Sequence, residues 1–240
     1  MTQIAIVVYP QFTALDFVGP YEVLRGLPDA EVRFVWHEPG PITADSGVLV
    51  VGATHSLSET PHPDIVLVPG GPGFAQAARD ERLLSWLREA HTTATWTTSV
   101  CTGSIVLAAA GLLEGKRATT HWSSLAGLSL YGVTAVSDER IVRADDDSSI
   151  VTAAGVSAGI DLALWLVGKV AGDNRARAIQ LFIEYDPQPP YDSGHRSKAS
   201  ASTVARTTAL LSRDSLKPAI IGSATALAWE GALRRVRARR

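Results

Sequence analysis

The stretch Ala94–Ser104 reads ATWTTSVCTGS, and it sets the frame for everything around it. Ala94–Val100 is uncharged and rich in Thr and Val, side chains that fit a pleated surface, so it predicts a strand inside a sheet. The residues then turn small, and Thr102–Ala110 is predicted to be a helix ended by Gly111. Cys101 falls on the join. A reactive side chain at a strand-to-helix elbow needs small neighbours, because the turn is strained and the helix packs close to the strand; Thr102, Gly103 and Ser104 meet that need. The helix also points its positive end at the sulfur, which is expected to lower the thiol pKa. A buried cysteine is often only structural, but this one ends a strand and opens a helix, which favours a nucleophile.

Outward from the elbow the chain alternates strands and helices. Ile4–Tyr9 and Asp64–Pro69 are continuous apolar runs, the pattern of strands covered on both faces. Glu31–Trp36 alternates, as a half-buried or edge strand does. Residues 40–60 are rich in Gly, Ser and Thr around Val48–Val51 and predict a short hairpin. Lys116–Thr120 is a short strand, and Arg140–Arg143 with Ser149–Ala153 predicts a hairpin about the acidic turn Asp145–Asp147. Helices are predicted over Phe17–Leu27, with Asp16 as N-cap and Gly19-Pro20 in the first turn, and over Phe74–Ala78, Glu81–His91, Ser123–Leu130, Ser157–Ala171 and Asp173–Tyr185. This rhythm implies an α/β domain with a mostly parallel central sheet and helices on both faces. Pro187, Pro189 and Pro190 end regular structure, and residues 191–200 read as a polar linker. The domain is therefore expected to span 1–195. A helical extension, 196–240, follows with helices over Thr203–Leu211 and Lys217–Arg237.

With hydrophobic residues at 46 % and charged residues at 19 % of 240, the chain reads as globular rather than disordered. No apolar run reaches the ~18 residues a membrane span needs; the richest, Val156–Val170, is interrupted by Asp161 and reads as a buried helix. No basic segment precedes the first strand, so no secretory leader is expected. A single cysteine excludes an internal disulfide and suits a reducing cytoplasm. Residues 191–240 hold ten Lys/Arg against three Asp/Glu, a net +7, which leaves −9 for the rest of a chain whose total is −2. Five of those basic residues lie in Arg234–Arg240. Such a tail could meet nucleic acid or an acidic surface, but a solvated helix end accounts for it better, so no nucleic-acid partner is expected.

In parallel sheets ligands bind beyond the carboxyl ends of the strands, near the switch in strand order. Three features fall at such ends: Asp16, Gly70-Gly71-Pro72-Gly73, and Cys101. A carboxyl group beside a thiolate is expected to have a raised pKa and so to carry a proton near neutral pH. The glycine loop lacks the Lys of a phosphate loop and reads either as a tight turn or as a source of N–H groups for a developing charge. Pro72 has no N–H, so the N–H groups of Gly71 and Thr102 are the expected donors, with Gly73 as a further candidate. His121 could serve Cys101 as a general base or simply pack beside Trp122. None of the other histidines has a zinc-like spacing to the cysteine, so no metal is expected.

Taken together, Leu15–Val23, Val68–Gly73, Val100–Ser104, Ala118–Trp122 and the segment EYDPQPP at 184–190 resemble the ThiJ/PfpI superfamily, and within it the isonitrile hydratase branch. The resemblance covers roughly residues 1–195. It implies a flavodoxin-like sandwich of the class I glutamine amidotransferase kind and a cytoplasmic homodimer that works without cofactor or metal. The implied reaction hydrates a small-molecule isonitrile, R–N≡C, to an N-substituted formamide. Cys101 is then the nucleophile, Asp16 the acid and base, and Thr102 a hydrogen-bonding assistant. Glu22, six positions after Asp16, is a rival for the acidic role. The segment Tyr191–Arg196 departs from the usual turn there and is expected to affect a lid or dimer edge. Three other readings stay open: a glyoxalase- or deglycase-like enzyme, a redox sensor in which Cys101 becomes a sulfinate beside Asp16, and a ligand-binding regulatory domain. For the last, the extension is too short to hold a helix-turn-helix module of ~100 residues.

Overall fold

The computed structural model describes residues 1–146, 148–215, 226, 227 and 229. In chain order, β1 (Thr2–Val7) leads to α1 (Ala14–Leu24) and β2 (Ala30–Trp36). The hairpin β3 (Gly40–Thr43) and β4 (Val50–Ala53) follows, then β5 (His55–Ser56) and β6 (Ile65–Val68). Next come α2 (Phe74–Ala77), α3 (Glu81–Thr93), β7 (Trp96–Val100) and α4 (Gly103–Ala109). After β8 (Arg117–Ala118), a 3-10 turn over Trp122–Ser124, α5 (Leu125–Ser129) and β9 (Thr134–Ala135), the hairpin β10 (Ile141–Arg143) and β11 (Ile150–Ala153) returns to the sheet. The described chain ends with α6 (Ala158–Ala171), α7 (Asp173–Phe182) and α8 (Ala201–Ser215). The predicted helix over Lys217–Arg237 and the basic run Arg234–Arg240 lie outside the described residues, apart from 226, 227 and 229.

The main sheet has the order β10-β11-β7-β6-β1-β2-β5, parallel except for β10 against β11. The chain steps outward from β1 to β2 on one side, then returns to β6 on the other side of β1 and proceeds to β7. Right-handed crossovers in opposite directions place α1 and α3 on opposite faces. On one face α1 packs against α6 and α6 against α7; on the other, α4 packs against α2, α3 and α5. The result is the flavodoxin-like sandwich expected, with β6 buried along its whole length. The apolar runs of β1 and β6 are continuous because both faces of the sheet are covered.

Two expectations about α1 are corrected. It starts earlier than predicted: the extended Thr13 is the N-cap and Asp16 lies inside the first turn. Pro20 is consequently in the second turn rather than the first. There its ring nitrogen removes the helical partner of the Asp16 carbonyl. Thr13 does not cap through its side chain, because its hydroxyl donates to Asp45 Oδ2 at 2.8 Å. Lys116–Thr120 yields only the two-residue β8, paired with β9 outside the main sheet.

Candidate active site

The order of strands reverses between β1 and β6, and the loops beyond β1, β6 and β7 meet there. Cys101 follows β7 with φ +57, in the left-handed region that side chains with a Cβ rarely adopt. Surrounding bonds hold it there. Its N–H donates to the carbonyls of Ala153 and Ala154 at 3.1 and 3.0 Å. Its carbonyl accepts from Ser104 Oγ at 3.1 Å and Thr120 Oγ1 at 2.9 Å. The small residues are needed because the backbones touch. A Cβ on Gly103 would lie 2.1 Å from Val68 O, and one on Gly70 would lie 2.5 Å from Thr102 N. Gly103→Ala is therefore expected to push α4 off β6, at a cost of about 3 kcal/mol. Thermal denaturation should register a fall of about 6–12 °C for a chain of this size.

Beneath the thiol lies Asp16, which has no solvent exposure. Its Oδ2 accepts from the Gly70 N–H at 2.8 Å. Its Oδ1 has no partner of ordinary hydrogen-bond geometry, although the Cys101 thiol is within interacting range. Burial raises the carboxyl pKa to about 7, against the lowering pull of the Gly70 N–H and the thiol. The raised value matches the expectation, but desolvation is its main cause, not a neighbouring thiolate. For Cys101 the expectation is reversed. Burial and then the Asp16 charge push the thiol well above its usual value, and the N–H groups of Thr102 and Val156 only partly offset them. At neutral pH the pair therefore holds one proton on sulfur beside a carboxylate that is partly ionised, and its titration belongs to both groups.

The sulfur opens on a cavity of about 170 Å³ whose walls include Asp45, Gly71, Thr102, His121, Val156 and Leu211. Within it, Gly71 is not a free donor as expected: its N–H donates to Thr102 Oγ1 at 3.0 Å. The Thr102 hydroxyl in turn donates to Gly71 O at 3.3 Å, so Thr102 ties the glycine loop to the elbow. Gly73 is outside the cavity, and its N–H is spent on Gln11 O at 3.2 Å. Its lack of a side chain serves packing, since a Cβ would meet Pro10 O at 2.0 Å. Glu22 lies on the exposed face of α1, paired with Arg25 at 2.8 Å. Glu22→Gln is accordingly expected to leave turnover within twofold of the parent, as steady-state rates will show. His121 does line the cavity. Its Nδ1 accepts from the Ser123 N–H at 3.4 Å and meets Ser123 Oγ at 2.7 Å. Burial lowers its pKa, so the ring is neutral at pH 7. Among the described residues no three His, Cys, Asp or Glu side chains gather as a metal site, and no helix is long and apolar enough to cross a membrane.

A model of the DJ-1/PfpI family matches residues 2–169. The chain belongs to the DJ-1/PfpI family. It is 43 % identical over 202 residues to the isonitrile hydratase of Pseudomonas putida, covering 84 % of this chain and 86 % of that one. A solved ThiJ/PfpI protein from Pseudomonas syringae superposes with a TM-score of 0.85 at 34 % identity, over 95 % of this chain and 90 % of the other. The HTH-type transcriptional regulator CdhR of Pseudomonas aeruginosa shares 32 % identity over 173 residues, 70 % of this chain but only 50 % of its own. The resemblance drawn from the sequence motifs to this DJ-1/PfpI group is thus borne out.

Several residues at this DJ-1/PfpI elbow were not singled out from the sequence. Val156 supplies a backbone N–H to the sulfur from the turn after β11, at φ +35. Backbone donors carry no side-chain signal, so only the fold reveals it. Within the glycine loop, the Gly70 N–H holds Asp16. Asp45 arrives from the β3–β4 hairpin and Leu211 from α8, both far from Cys101 in the chain.

Proposed function

We propose that this protein is an isonitrile hydratase, adding water to R–N≡C to give an N-substituted formamide. The observation that carries this reading is the buried Asp16 carboxyl, raised to about 7, directly beneath a thiol that burial keeps protonated. The terminal carbon of an isonitrile must gain both a sulfur and a hydrogen, and this pair supplies both. Asp16 takes the thiol proton as sulfur bonds to the carbon, then delivers the proton to that same carbon. The product is a thioimidate, R–N=CH–S–Cys101, and the Asp16 carboxylate is restored. Water then adds to the carbon, the C–S bond breaks, and the formamide leaves with the thiol reformed. Covalent catalysis of this kind divides one difficult step into two. The similarity to the Pseudomonas putida isonitrile hydratase over most of both chains supports the same reading.

Thr102 holds the glycine loop against the elbow, and the N–H groups of Thr102 and Val156 steady the sulfur as it forms and breaks its bond. In this reading residues 1–195 form the catalytic part and 196–240 an extension that reaches back over the site through Leu211. The enzyme acts as a cytoplasmic homodimer without cofactor. The test is incubation of the purified protein with cyclohexyl isocyanide, followed by mass spectrometry for N-cyclohexylformamide. Formamide formed in proportion to enzyme supports the reading. Intact isocyanide after prolonged incubation refutes it.

A further inference from the structure

The proposed reaction has two halves, and Asp16 is placed for only the first. It is wholly buried and not part of the wall of the cavity above Cys101. The second half needs a water molecule on the cavity side of the thioimidate carbon to give up a proton. Among the described residues lining that cavity, Asp45 is the one carboxylate. It sits in the turn between β3 and β4, and its position is determined on three sides. Its backbone N–H donates to Phe12 O at 3.0 Å. Its Oδ2 accepts from Thr13 Oγ1 at 2.8 Å and its Oδ1 from the Ser46 N–H at 2.8 Å.

Thr13 is the link between the halves. It caps α1 three residues before Asp16, so one turn of chain holds Asp16 under the sulfur and, through its hydroxyl, Asp45 at the cavity wall. The two carboxylates are near enough that the Asp45 charge helps to raise the Asp16 pKa. His121 lines the same cavity, with its Nδ1 against Ser123 Oγ at 2.7 Å. The cavity wall therefore carries a carboxylate and an imidazole, both apart from Asp16.

We infer that Asp45 is the general base of the hydrolytic half-reaction, activating the water that attacks the thioimidate formed on Cys101. This rests on the hydratase reading above. Water oxygen bonds to the thioimidate carbon as one of its protons moves to Asp45. The C=N electron pair moves to nitrogen, which then takes that proton from Asp45. The carbinol collapses to the formamide: the C–S bond breaks with its electron pair on sulfur, and the hydroxyl proton, relayed by Asp45 and solvent, ends on sulfur. The balance is one water consumed, one formamide released, and thiol and carboxylate restored.

The experiment is rapid-quench intact-mass spectrometry with cyclohexyl isocyanide on the parent protein, Asp45→Asn, Asp45→Ala and Asp16→Asn. Asp45→Asn is expected to gain the mass of one whole isonitrile on Cys101 while steady-state formamide production falls at least ~10²-fold. Added formate is expected to speed decay of the adduct on Asp45→Ala, a rescue that a merely structural role would not give. Asp16→Asn is expected to form no adduct. If the Asp45 variants turn over within threefold of the parent, or neither accumulates an adduct while the parent makes formamide, the assignment of Asp45 falls alone. If the parent makes neither formamide nor adduct, the hydratase reading falls and takes this assignment with it.

Discussion

Cys101→Ala is expected to lower formamide production from cyclohexyl isocyanide by at least ~10³-fold, with no adduct on the protein at any time. The loss should be chemical rather than structural. Alanine keeps the Cβ of cysteine, so the strain at φ +57 is unchanged. The backbone bonds from Cys101 to Ala153 and Ala154, and from Ser104 and Thr120 to Cys101, do not involve the sulfur. What disappears is the atom that receives the Thr102 and Val156 N–H groups and that, in the proposed reaction, bonds to substrate. Circular dichroism and a melting temperature within a few degrees of the parent should accompany the lost activity. A Cys101→Ala protein that still turns over would mean that the thiol is not the nucleophile.

Asp16→Asn is expected to reduce kcat/KM by ~10²–10⁴-fold, the usual worth of a positioned acid–base group. It should also stabilise the protein above neutral pH. The carboxyl pKa rises from 3.8 in the unfolded chain to about 7 in the fold, so the native state binds the Asp16 proton more tightly. The favourable contribution is complete below pH 3.8 and is lost as pH rises through about 7. Beyond that, folding carries a buried charge at a cost of about 4 kcal/mol, from ~1.4 kcal/mol per pKa unit. Asparagine removes that cost while its amide oxygen still accepts from Gly70. Thermal denaturation between pH 4 and 8 should therefore show the parent losing stability where Asp16→Asn does not, the variant melting higher at pH 8. In kinetics the parent should lose kcat/KM below about pH 7 as the carboxylate takes up a proton. Parallel melting curves across that range would show that the carboxyl group carries no such cost, and an Asn variant with full activity would show that it is not the acid–base group.

Strand positions were readable because their pattern is local. The apolar runs of β1 and β6 and the Thr-rich β7 state their burial residue by residue, and small residues around Cys101 signal a tight elbow. Helix starts were less readable. Asp16 has the composition of an N-cap, yet Thr13 takes that place because its extended backbone lies where the chain leaves the sheet. Glu22 and Gly73 show the opposite failure. Each has the right residue type near the right motif, but Glu22 points to solvent beside Arg25 and Gly73 yields its N–H to Gln11.

The residues of this chain by themselves determined an α/β sandwich, the elbow at Cys101, and the carboxylate at Asp16, because periodicity and turn chemistry depend on neighbours in the chain. Only the tertiary structure decided how those groups are charged and which others join them. Desolvation is a property of everything packed around a group, so no local pattern could show that burial outweighs the helix N-terminus at the thiol. Asp45 and Leu211 likewise reach the site only because the sheet order and the course of α8 bring distant segments over one strand end.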